Sequence, residues 1–233
     1  MKKTKAVLNW SGGKDSSLCL HRALRTGTYE IPFLFTTVYE PDDRIAQHGV
    51  RRALLERQAE STGLALRIMG LPALPSMETY NSVMKKNLTG FKNEGIHASI
   101  FGDINLEDLR AYRENQLAEA GIEGVFPLWN LPTGRLAEEF IGLGFKAIVV
   151  CIDGLRLDSS FTGREYDRSF LGDLPGDVDP CGENGEFHTF VYDGPIFQKP
   201  VPFTRGEIIY REYTPPEGQY EAGFWFCDLV PEQ

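Results

Sequence analysis

Short apolar runs alternate with helical periodicity through the first half of the chain, the pattern of a parallel sheet covered by helices on both faces. Lys5 to Asn9 reads as the first strand, and the helix after it carries Leu20, Ala23 and Leu24 on one face before stopping at Gly27. Ile31 to Tyr39 predicts a second strand, with Pro32 tolerated at its start. A charged loop, Glu40 to His48, leads to a helix bearing Val50, Leu54, Leu55 and Ala59 that ends at Gly63, and Leu64 to Leu71 is a third strand. Ser76 is placed to cap a helix with the stripe Met77, Tyr80, Met84, Leu88 and Phe91, after which His97 to Phe101 forms a fourth strand. Asn105 with Asp108 opens a helix bearing Leu109, Tyr112 and Leu117 and closed by Gly121. Val125 and Phe126 begin a short strand, Thr133 caps a helix with Leu136, Phe140 and Ile141 inward, and Phe145 to Ile152 is the most apolar strand.

Beyond Asp153 the texture changes. Glycine and proline multiply, helical periodicity fades, and strand-like runs take over at Phe187 to Tyr192, Glu207 to Tyr213 and Phe224 to Leu229. The expected architecture is therefore α/β: a doubly wound, Rossmann-like domain over 1–125, then a smaller α+β domain over 126–233. In such sheets a ligand sits beyond the carboxyl ends of the strands, where Tyr39, Gly102, Asp103 and the loop at Ser11 converge.

The 233 residues are 42% hydrophobic and 24% charged, ordinary for a globular chain, and the net charge of -9 argues against a broad nucleic-acid footprint. Neither a secretory signal nor a membrane span is expected. Cys19, Cys151, Cys181 and Cys227 are far apart and form no C-x-x-C pair, which fits a reducing cytoplasm better than a zinc site or disulfide scaffold.

Ser11-Gly12-Gly13-Lys14-Asp15-Ser16 follows the first strand directly and opens the first helix. Adjacent glycines allow a sharp turn and close approach to a ligand, and the unpaired N–H groups at a helix start face outward, so this is a phosphate site. Hydroxyls from Ser11 and Ser16 and the Lys14 ammonium add donors. Asp15 caps the helix or orders Mg²⁺. The Walker spacing is absent, and the stretch instead resembles the PP-loop of enzymes that cut ATP between its α and β phosphates.

A second dense stretch runs from Asp179 through Cys181, Gly182, Glu183, Gly185, Glu186, Phe187 and His188 to Thr189 and Phe190. The two signatures together resemble the diphthine-ammonia ligase family of PP-loop ATP pyrophosphatases, whose members have an N-terminal domain of the adenine-nucleotide α-hydrolase type. Gln58-Ala59-Glu60, Phe101-Gly102-Asp103-Ile104 and Gly163-Arg164 fall where that family has comparable segments, although Phe161-Thr162 departs from the aromatic-Leu pair usual before Gly-Arg. The resemblance implies adenylation of a carboxylate, release of pyrophosphate and displacement of AMP by ammonia. Its acceptor in eukaryotic and archaeal members is diphthine, a modified histidine on translation elongation factor 2. A PP-loop enzyme acting on tRNA or on an unknown small acceptor is the alternative.

Roles follow residue by residue. Ser11, Gly12, Gly13, Lys14, Asp15 and Ser16 are expected to hold the triphosphate of ATP, with His48 near the adenine. Asp103 is placed to ligate metal or position the acceptor. Glu183 or Glu186 is expected to bind ammonium or take its proton, with His188 beside them. Gly182, Gly185, Thr189 and Arg164 are the expected acceptor contacts, Arg164 as a bidentate clamp on a carboxylate. Cys181 reads as an inert thiol.

Overall fold

The computed structural model describes residues 2–39, 41, 43–45, 49–72, 75–213 and 222–232. In chain order its elements are β1 (Thr4–Asn9), α1 (Lys14–Thr26), β2 (Tyr29–Glu30), β3 (Phe33–Tyr39), β4 (Arg44–Ile45), α2 (Arg52–Thr62), β5 (Ala65–Leu71), α3 (Met77–Asn93), β6 (Ala98–Ile100), α4 (Glu107–Ala120) and β7 (Glu123–Val125). Then come α5 (Thr133–Gly142), β8 (Lys146–Asp153), a 3-10 turn (Ser159–Phe161), α6 (Arg168–Asp173), β9 (Phe187–Asp193), β10 (Phe203–Tyr213) and β11 (Ala222–Pro231).

Parallel pairing builds the first sheet: β3 and β6 flank β1, with Leu8 opposite both Leu34 and Ile100, while β5 lies outside β3 and β7 outside β6. β4 adds a short antiparallel segment on the end of β3. From β1 the chain steps outward to β3 and β5, then returns across β1 to β6 and β7. Such a reversal opens a crevice beyond the carboxyl ends of β1 and β6. The second sheet is antiparallel, in the order β10-β11-β8-β9.

Alternation along β1 divides the core. Val7 packs with Phe33, Phe35, Leu88, Phe91 and Leu117 under α3 and α4, whereas Ala6 and Leu8 point to the face carrying α1 and α2. That second cluster continues without a break into Val149, Phe187 and Phe190 of the antiparallel sheet. The two sheets thus share one core, which fixes β9 against the start of α1.

Several local expectations shift. Pro32 has no N–H to donate, and the strand expected from Ile31 begins only at Phe33 as β3, while Tyr29–Glu30 before it form the separate β2 against β1. Ser76 caps α3 as anticipated, its Oγ accepting the Thr79 N–H at 3.1 Å. Thr133 instead is the first residue of α5, and its hydroxyl donates to Asp179 Oδ2 at 2.7 Å rather than capping. Leu24 and Met77 lie on the rims of their apolar stripes and are 48% and 62% exposed. The short strand expected from Val125 and Phe126 is β7, which ends at Val125.

Candidate functional site

β1 delivers the chain to the loop at a fixed height because Asn9 Nδ2 donates to Ser99 Oγ and to the Ile100 carbonyl, both at 2.9 Å. The next turn needs Gly12. Its φ of +77° is left-handed, and a Cβ there would stand 2.6 Å from Gln58 Oε1 and 2.8 Å from Leu55 Cδ2. Gln58 is fully buried on α2 and ties three partners together. Its Oε1 accepts Trp10 Nε1–H at 3.0 Å, and its Nε2 donates to the Gly12 carbonyl at 2.9 Å and to the Val191 carbonyl at 2.5 Å. The Gly12 carbonyl also accepts the Val191 N–H at 2.9 Å. The loop is therefore stitched to β9.

Within the loop Gly13 adopts an extended φ of -90°. Ser11 Oγ accepts the Gly13 N–H at 3.3 Å, and Ser16 Oγ donates to the Gly13 carbonyl at 3.0 Å. The Lys14 N–H, which opens α1, donates to Thr189 Oγ1 at 3.0 Å. One of the helix-start donors expected to face a phosphate is thus held by the second sheet. The Lys14 side chain is turned inward, only 5% exposed, with Nζ 2.8 and 2.7 Å from the two Asp15 carboxylate oxygens. It lies in a tight crevice with Tyr166, Cys181 and apolar side chains of α1 and α5. Burial opposes the ammonium charge, but Asp15, then the groups on the facing loop including Glu183, outweigh it and hold the Lys14 pKa above the usual lysine value.

β6 brings Gly102 against the first turn of α1; a Cβ on it would sit 3.0 Å from the Asp15 carbonyl carbon. Asp103 follows, paired through Oδ2 with Arg113 Nε at 2.7 Å. Its pKa is raised, chiefly by burial, against the pull of Arg113.

Loop 179–189 organises itself. Asp179 Oδ1 accepts the Cys181 N–H at 2.7 Å. Glu186, 1% exposed, accepts from the Asp179 N–H at 3.1 Å, the Asn184 N–H at 2.9 Å and Asn184 Nδ2 at 2.9 Å. Burial pushes its pKa up, but these donors outweigh it and the net shift is downward. Gly182 has a φ of +68°, and a Cβ there would meet the Phe187 carbonyl oxygen at 2.7 Å. Glu183 differs: its Oε2 is buried with no hydrogen-bond partner among the described residues, and burial, then the Asp15 charge, carry its pKa to about 7 against the pull of Lys14 and of the backbone at Asn105 and Ile104. His188 is pushed down to about 4 by burial and by Lys14, so its imidazole is neutral near pH 7. Cys181 is buried, its Sγ directed at the Thr133 carbonyl, and burial pushes the thiol up to about 12.

Of the expected site residues, the structure gathers Lys14, Asp15, Glu183, His188 and Thr189 around one seam, with Asp103 and Gly102 at its edge. Gly185 has a φ of +86° with open space around it. Arg164 is engaged elsewhere, with Asp173 at 2.7 Å and the rings of Phe161 and Phe170. His48 lies outside the described residues. Three participants escaped the sequence reading as site residues. Arg113 carried no signal, and Tyr166, whose hydroxyl donates to the Pro180 carbonyl at 2.7 Å, carried none either. Gln58 did, as a polar residue on the same helix stripe as Leu54, Leu55 and Ala59.

Residues 3–123 match the family described as diphthamide synthase N-terminal domain, and residues 132–215 match the diphthamide synthase C-terminal domain. The diphthine–ammonia ligase of Rattus norvegicus is 24% identical over 238 residues, covering 85% of this chain and 82% of its own. That of Bos taurus is 27% identical over 123 residues, 51% of this chain and 46% of the relative; that of Schizosaccharomyces pombe is 26% identical over 100 residues, 41% and 16%. The chain thus spans less than half the length of the last two. Among solved structures, the U34-tRNA thiolase NcsA from Methanococcus maripaludis with its 4Fe-4S cluster aligns with a TM-score of 0.37 at 18% identity, over 60% of this chain and 57% of that one. Among the described residues no helix is long and apolar enough to cross a membrane. With both halves matched, the first over more than half its length, this chain belongs to the diphthamide synthase family.

Proposed function

We propose that the chain is an ATP-dependent ligase. An acceptor carboxylate oxygen attacks the α-phosphorus of ATP, the bond to the β-phosphate breaks and pyrophosphate leaves. Ammonia then attacks the carbonyl carbon of the adenylate, AMP departs with the bonding electrons, and an amide remains. Residues 1–125 hold the nucleotide and 126–233 face the acceptor, which is diphthine on translation elongation factor 2 or a related carboxylate. The observation that carries this reading is the burial of Lys14 at the seam between the phosphate loop and loop 179–189, beside Asp15 and Glu183.

Each residue then has a task. Ser11, Gly12, Gly13 and Ser16 shape the cradle, and the Lys14 ammonium moves from Asp15 to the phosphates as charge builds there. Glu183, with a pKa of about 7, takes the proton that ammonium must lose before its nitrogen lone pair can attack. Glu186 keeps its loop in register. Gly182, Gly185 and Thr189 line the acceptor side, with the neutral His188 ring beside them.

Among the described residues no group of three or more His, Cys, Asp or Glu side chains could hold a metal alone. Mg²⁺ in nucleotide sites takes one or two carboxylates and completes its shell with phosphate and water, so Asp15, with Asp103 near it, fits as the protein's share. The chemistry such an ion supplies is charge neutralisation on the triphosphate. Four buried free thiols accord with a cytoplasmic setting.

The test is incubation with ATP, Mg²⁺, ammonium and diphthine-bearing elongation factor 2, following AMP and pyrophosphate. Both products are expected, with amide formation, and Lys14→Ala should abolish them. Release of ADP and phosphate would sink the mechanism.

A further inference from the structure

β10 is the outer strand of the antiparallel sheet, and it is long and, among the described residues, unpaired on its outer side. From Thr204 to Glu212 its residues are exposed or half-buried, with Ile208 at 48% and Tyr210 at 45%. An open edge of this length is a template for another strand unless something blunts it. The break in β10–β11 register between Arg205 and Ile208 blunts only its first part. From Ile208 to Tyr213 the pairing with β11 is regular.

The sequence of that part, with Glu207 at the end of the irregularity just before it, says what it fits. Ile209 stands at the centre of Glu207-Ile208-Ile209-Tyr210-Arg211, and two copies of this segment run antiparallel about a two-fold axis at Ile209 meet their complements. Glu207 falls opposite Arg211 of the other copy, Ile208 opposite Tyr210, and Ile209 opposite itself. Axes one residue away fail: centring on Ile208 sets Arg205 against Arg211, and centring on Tyr210 sets Ile208 against Glu212. Alternation sorts the pairs by face. Ile208 and Tyr210 share the face of Trp225 and Cys227, where the Tyr210 and Trp225 rings are 4.9 Å apart. Glu207, Ile209 and Arg211 share the other, where the Arg211 guanidinium lies 5.7 Å from the Phe226 ring. Neither Glu207 nor Arg211 has an ion-pair partner among the described residues, whereas nearby Arg205 is paired with Glu165. They cannot serve each other within one strand, where four residues span about 13 Å.

We propose that β10 pairs with β10 of a second copy, joining two four-stranded sheets into one of eight strands. Each dimer then gains two Glu207–Arg211 cross-strand pairs on one face and two Ile208–Tyr210 pairs on the other. A short ladder is a small interface, so the dimer is reversible, with a dissociation constant on the order of 10 µM.

Sedimentation equilibrium of the full chain over roughly 1 to 200 µM should show monomer giving way to dimer. Glu207→Arg or Arg211→Glu alone sets like charges opposite each other twice and should weaken association about tenfold or more. The double swap restores the pairs and should restore the dimer. Ile209→Lys places two ammonium groups on the axis and should leave a folded monomer, checked by a melting temperature that matches wild type at about 1 µM, where both are largely monomeric. A chain monomeric throughout overturns the proposal, as does a dimer indifferent to all three single changes or a double swap that fails to recover. So does a monomeric chain whose β10 edge captures an extended segment of a different protein.

Discussion

Loop 11–16 is braced from outside itself, whereas loop 179–189 is braced from within. The first has its Gly12 carbonyl and Lys14 N–H held by Gln58, Val191 and Thr189, residues 46 or more positions away. The second closes on its own Asp179 and Glu186, which take backbone donors within the loop. A loop that satisfies itself can turn a side chain toward the rest of the fold, and here that side chain is Glu183, which meets the backbone at Asn105 and Ile104 while its Oε2 stays unpaired among the described residues. A loop held by the rest of the fold instead transmits what the fold does, so the phosphate cradle depends on the seating of the second sheet.

The sharpest contrast is between the two glutamates of loop 179–189. Glu183→Gln removes the base without touching the loop's own bonds, so amide formation should fall about a hundredfold or more. Because the base acts ionised, the wild-type rate should climb through pH of about 7, and that limb should vanish in the variant. Glu186→Gln should act in the other direction, lowering stability by about 1.5–3 kcal/mol through its lost charge-assisted bonds. Its folded enzyme should retain the pH limb. Equal rate losses with the limb kept in both variants would erase the distinction between the loops.

Next in size is the outside brace. Gln58→Leu is close in volume but leaves Trp10 Nε1–H without its acceptor and strips a donor from the Gly12 carbonyl. A cost of about 1–3 kcal/mol is expected for such buried groups. Because the displaced atoms belong to the cradle, KM for ATP should rise at temperatures where the variant is fully folded. Gln58→Glu keeps the acceptor for Trp10 and loses the donor, so it separates the two halves of the brace. An unchanged KM in both would make Gln58 a packing residue only.

The same contrast explains what could be read in advance. Ser11 to Ser16 is legible as a strand-to-helix loop because glycines, hydroxyls and a helix start are local signals, and a parallel sheet follows from apolar runs alternating with helical periodicity, whereas the order of β1, β3 and β6 does not. The grip of Thr189 on Lys14 spans 175 positions and leaves no local trace. Glu183 and Glu186 are identical in type and three positions apart, and only burial and donor geometry separate them. Arg164 carries the sequence signature of a clamp, and its pairing with Asp173 leaves no local trace. Pro32 and Thr133 mark a different shortfall: each lies within about two residues of its expected boundary, and the neighbours decide on which side, Pro32 falling between β2 and β3 and Thr133 inside α5.

The smallest effect sets two groups of loop 179–189 against each other through pH. His188 has a folded pKa of about 4, below the usual 6.5, so its contribution to stability is present above pH 6.5 and lost as pH falls toward 4. Glu183 has a folded pKa of about 7, above the usual 4.5, so its contribution is full below pH 4.5 and lost as pH rises toward 7. Each slope is at most about 1.4 kcal/mol per pH unit, and over the shared window they oppose each other. Single variants should therefore unmask opposite tilts. In chemical denaturation from pH 4.5 to 6.5, the stability of Glu183→Gln relative to wild type should rise with pH, and that of His188→Gln relative to wild type should fall. Parallel curves for wild type and both variants would mean that neither group is desolvated at the seam, and the case for Glu183 as a base tuned by its surroundings would go with them.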